Sequence, residues 1–118
     1  MANPNIVNVA TINGKTDVFA LTTTETSLVT ATANTVFKIN SIMVSNIDGS
    51  NAADVTIKYN DGSNDRAIAS TISVPADATL NVVDKNSSFY LEETEIIKGT
   101  ASANSDLECL ISYEIISD

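Results

Sequence analysis

The carboxylates are the residues of this chain with the most capacity for chemistry. Asp48 and Asp54 flank one turn-rich segment, Asp61 and Asp65 flank another, and Glu92, Glu93 and Glu95 crowd together ahead of an apolar run. Calcium takes roughly six to eight oxygen ligands, which short acidic loops can supply. Neither loop has EF-hand spacing, however, and the same side chains close Asx-turns. Paired carboxylates also drive glycoside hydrolysis, but with no Trp and few Phe or Tyr there is little ring surface for a sugar to stack on. The chain has no His, so the usual general base and nucleophile activator is missing. Its four isolated glycines build no phosphate cradle. Cys109 is the single cysteine, so no intramolecular disulfide forms, and its position on an apolar strand face makes it a core residue. The expectation is a non-enzymatic protein with no catalytic, cofactor-binding or metal residues.

The elements that position these groups read as strands. In the terminal stretch Leu107, Cys109, Ile111, Tyr113 and Ile115 fall on one face at period two. The other face carries Glu108, Ser112 and Glu114, with Leu110 and Ile116 as apolar exceptions that hint at a surface strip or a second contact. Val36 to Asn46 is apolar on both faces, as in a central strand or one bulged near Asn40-Ser41. Asp54 to Tyr59 alternates cleanly, and Asn60-Asp61-Gly62-Ser63 follows as a hairpin signal. Arg66 to Val74 ends at Pro75, and Thr79 to Val83, Ser88 to Leu91 and Ile96 to Ala101 complete the second half. Near the start, Ile6 to Thr11 alternates before a turn at Asn13-Gly14. Lys15 to Leu21 and Thr26 to Thr32 are weaker, Thr-rich strands. A weak helical pattern covers Thr22 to Val29 and nothing else. Seven to nine short strands predict an all-β fold, a two-sheet antiparallel β-sandwich of jelly-roll or immunoglobulin-like type. Residues 1–14 are expected to form an extended arm with the first strand, and residues 15–118 the single sandwich domain.

Charge narrows the partners. The net charge is −9, and Lys15, Lys38, Lys58, Arg66, Lys85 and Lys98 form no run. That balance argues against nucleic acid and against anionic membrane surfaces. No apolar run approaches the roughly 20 residues of a membrane-spanning helix. The first residues lack the pattern of a signal peptide, which predicts assembly in a cytoplasm.

Phe37 to Gly49 followed by Asp54-Val55-Thr56-Ile57 resembles small virion structural proteins of marine, cyanophage-like tailed bacteriophages. Asn5 to Thr16, Ser73-Val74-Pro75-Ala76, Phe89 to Glu93, Ala101-Ser102-Ala103 and Ile111 to Ile115 are similar to that family in the same order. The similarity covers about Asn5 to Ser117. Where that family often has a Gly-Asp turn, Thr94-Glu95 stands here, which argues against a tight positive-φ turn.

The resemblance implies a structural protein of the virion, foremost a capsid decoration (cement) protein on the outer head surface that stabilises the shell. Its partners would be the major capsid protein or other virion proteins, with self-association, for instance as a trimer. An acidic module fits an exterior site away from packaged DNA. The arm, residues 1–11, would add a strand to a neighbour. A tail, neck or fibre component is the alternative within the virion. A carbohydrate-binding module is the alternative outside it.

Overall fold

The computed structural model describes residues 3–118, so Met1 and Ala2 of the expected arm lie outside the described residues. Among the described residues nine strands, with no helix, form two antiparallel sheets. They are β1 (Thr11–Ala20), β2 (Thr26–Thr30), β3 (Thr35–Asn46), β4 (Ala53–Asn60), β5 (Asp65–Val74), β6 (Thr79–Val83), β7 (Phe89–Leu91), β8 (Ile96–Ala101) and β9 (Leu107–Ser117). One sheet runs β1-β9-β3-β6, with β7 also on β3, and the other runs β2-β8-β4-β5. First pairs with last, second with next to last and third with third from last, and β4 and β5 form the innermost hairpin. This is the doubly folded hairpin of a jelly roll, which decides between the two sandwich topologies expected from sequence.

The core lies between the sheets, where alternation turns every second residue inward. Ile39, Ile42 and Val44 of β3, Val55 and Ile57 of β4, Ile97 of β8, and Leu107, Cys109 and Ile111 of β9 are all buried there. Tyr113 stacks on Phe37 with ring centroids 5.1 Å apart. The expected irregularity in β3 is a bulge at Asn40, where pairing with β9 steps from Ile39 to Ser41. The bulged Asn40 donates its Nδ2 to Glu114 at 3.0 Å. It lets a long strand bend while staying paired. The β4–β5 hairpin turns at Gly62, whose φ of 96° needs glycine.

The N-terminal region differs from expectation. Asn5 to Asn8 form a turn, with Asn8 N–H donating to Asn5 O and Val7 N–H to the Asn5 side chain, so no strand spans Ile6 to Thr11. Asn13-Gly14 makes no turn either; it lies within β1, with Gly14 opposite Glu114. β9 is eleven residues long and offers β1 a partner along its whole length, which overrides the local turn signal. The weak helical pattern at Thr22 to Val29 is overridden likewise, since Thr26–Thr30 pair with β8. The segment before β1 lies back on its own sheet. Pro4 is buried and Asn3 bonds Glu92 and the Glu93 backbone. Val36 and Ile116, cross-strand partners outside the main core, are both buried, so Ile116 is not part of an open surface strip.

Thr94 adopts φ 68° although it is not glycine. Its N–H donates to Ala31 O at 2.9 Å, and Ala31 N–H donates to Glu95 O at 3.0 Å. These two bonds impose the turn that the Thr94-Glu95 sequence argued against.

Candidate assembly interface

The acidic residues are committed to the fold. Asp48 accepts from the backbone N–H of Ser50 and Asn51, and Asp61 from those of Ser63 and Asn64. These bonds hold both carboxyls below the usual carboxylate range. Asp65 accepts from Asn60 Nδ2 and pairs with Lys98 at 3.2 Å, which lowers it too. Asp54 receives its structural bond at the backbone, where its N–H donates to Ser102 Oγ. Glu92 accepts from Asn3, Glu93 from the Asn34 N–H, and Glu95 from both Tyr59 Oη and the Glu92 N–H. Asp48 and Asp61 therefore point into separate turns. Among the described residues no three metal-ligating side chains converge.

Cys109 is buried on the inner face of β9, and burial pushes its thiol up to about 12. Tyr59 and Tyr113 are raised as well, first by burial and then by the carboxylates they bond, Glu95 and Asp17. A thiol kept protonated at neutral pH is a weak nucleophile. The basic residues form no anion patch. Lys58 and Lys98 face each other across β4 and β8, and Glu25 and Asp65 neutralise them at 2.9 Å and 3.2 Å respectively.

What the surface does offer is a strand edge. β1 closes one side of its sheet and pairs with β9 through ten residues without a bulge. The other edge strands differ. β2 and β5 carry register breaks in their pairing, β6 is five residues long with a break beside Val83, and β7 has three residues. Short or bulged edges resist pairing with another chain; a long regular one invites it. Val18 and Ile12 on β1 are 71% and 54% exposed, on the face away from the opposing sheet. The face toward it carries Lys15, Asp17 and Phe19. Asp17 accepts from Tyr113 Oη at 2.6 Å and pairs with Lys15 Nζ at 3.7 Å, so the buried tyrosine fixes one charge on the edge. Val18, Phe19 and Ala20 also line, with Leu110 and Glu108, a cleft of about 360 Å³ beside the strand. Sequence reasoning missed this edge because it divided β1 at Asn13-Gly14. The signal available was the unbroken length of β9, which must be matched on both sides.

No protein-family model matches the chain, and no curated protein is significantly similar to it. Among solved structures the chain is similar to a protein of Bacillus endospore appendages, which form a novel family of disulfide-linked pili. The TM-score is 0.54 and the identity 12%, over 92% of this chain and 88% of that one. The two share a fold. Nothing in these comparisons points to proteins of marine phages.

Proposed function

We propose that this chain is a non-enzymatic structural subunit that works as one of many copies on the exposed surface of an assembly. The observation that carries the reading is β1, an edge strand left open, regular and partly apolar in a molecule whose buried side-chain polar atoms, among the described residues, are all hydrogen-bonded. A fold shared with a protein of Bacillus endospore appendages, which form disulfide-linked pili, supports it. The net charge of −9 fits an exterior position clear of nucleic acid.

Within this reading the finer assignment is a capsid decoration protein on the outer head surface, resting on the sequence resemblance to virion proteins. Many modest contacts repeated over a lattice stabilise a shell through avidity. Antibody-gold labelling of source particles tests it. Dense label over heads supports decoration, label on tails favours the tail alternative, and label along non-viral surface filaments favours an appendage. Absence of label from every particle and filament, with an antibody proven on the folded protein, overturns the structural role.

A further inference from the structure

We propose that β1 pairs antiparallel with β1 of a second copy of this chain, about a two-fold axis through Thr16. The inference rests on the structural-subunit reading and specifies its contact. Lys15 and Asp17 are the only charged residues of Thr11–Ala20. They stand two positions apart, on one face, around Thr16. A two-fold axis through Thr16 and normal to the sheet sets Lys15 against the partner's Asp17 and Asp17 against the partner's Lys15. Two opposite-charge pairs form in one register. Centring the axis one residue away, on Lys15 or on Asp17, would instead set like charges face to face. Charge alone therefore selects the register.

The other edges do not match. β2 and β6 contain no charged residue, and no antiparallel register on Asp65-Arg66 of β5 satisfies Lys15 and Asp17 together. On the opposite face the Thr16 register places exposed Ile12 beside the partner's Ala20 and exposed Val18 beside the partner's Gly14. The two small residues leave room for the two larger ones, and an added Cβ at Gly14 would meet nothing within 4 Å in the single chain. Pairing joins the two larger sheets into one continuous sheet and covers the long edge whose own pairing has no bulge.

Complementary charge variants of the full chain test this by sedimentation velocity, with thermal melting to check the fold. K15D leaves two acids on the edge and D17K leaves two lysines, so each variant alone sets like charges opposite each other. The expected results are a wild-type dimer, association about tenfold or more weaker for each variant alone, and recovery in the equimolar mixture. In that mixture the two acids of one chain face the two lysines of the other. If D17K melts early because Tyr113 loses its acceptor, K15D is read by itself, since Lys15 is an exposed side chain with one long ion pair. Association of K15D and D17K as tight as wild type overturns this contact while leaving the structural-subunit reading in place. A wild-type chain that stays monomeric also overturns it, and the gold labelling then judges the broader reading separately.

Discussion

Asn46 is the one buried polar side chain among the described residues, 3% exposed at the end of β3. Its Nδ2 donates to Asn51 O and Val74 O, both at 2.9 Å, and its Oδ1 accepts from the Asp48 N–H at 2.9 Å. One amide thus ties the β3–β4 loop to the end of β5. Asn46→Ala leaves two carbonyls and an amide without partners, and an expected loss of about 2–4 kcal/mol should appear as a lower midpoint in urea unfolding. Asn46→Asp should be no better, because a carboxylate cannot donate to either carbonyl. The thiol of Cys109 makes a second prediction. Its folded pKa is raised from 9.0 to about 12, so the native state holds its proton more tightly than the unfolded chain does. Its contribution is fully present below pH 9 and is lost between pH 9 and about 12, at about 1.4 kcal/mol per pH unit. Tyr59 and Tyr113, also raised, add to the same alkaline loss. Urea midpoints should therefore fall steadily above pH 9, and Cys109→Ala should flatten the start of that fall. A thiol reagent at pH 8 should label Cys109 only in denaturant.

Individual strands carried very different amounts of information in the sequence. β4 and β9 were legible because one face of each is buried, and burial writes a period of two into the residues. The bulge in β3 was legible because apolar residues change parity across Asn40-Ser41. β1 was not, since nearly all of it is exposed and its course is set by β9 rather than by its own residues. The turn at Thr94 was hidden for the same reason, being imposed by bonds to Ala31 from another part of the chain. Threonine at φ 68° carries strain that glycine would not. Thr94→Gly is expected to raise stability by up to about 1 kcal/mol in thermal melts, the relief of strain exceeding the added chain entropy. Gly99 in β8 behaves in the opposite way. A Cβ there would lie 2.8 Å from Leu28 Cδ1 and 3.3 Å from Ile57 Cδ1. Gly99→Ala should cost about 1–3 kcal/mol, because Leu28 can move aside but Ile57 is fully packed. The candidate acids were legible as turn formers, whereas the cross-strand Lys58, Lys98, Glu25 and Asp65 group needed the sheet register to be seen.

At the scale of the molecule, a closed interior contrasts with one open side. The body measures 49 × 26 × 20 Å, with a single apolar core and with Asp48 and Asp61 engaged in their own turns. The long regular edge of β1 still has backbone groups to share. The segment before β1 lies over Val36, where Pro4 and Ile6 line a shallow cleft with Tyr90. Deleting residues 1–10 should therefore lower the thermal midpoint modestly while leaving β1 able to pair. Hydrogen–deuterium exchange across a dilution series tests the central claim most directly, since it reports backbone pairing strand by strand. Peptides covering Thr11–Ala20 should gain protection as concentration rises from the micromolar range toward about 1 mM, while those covering Asp65–Val74 stay unchanged. Protection in β1 that is independent of concentration, or that grows on β5 instead, would contradict assembly through this edge.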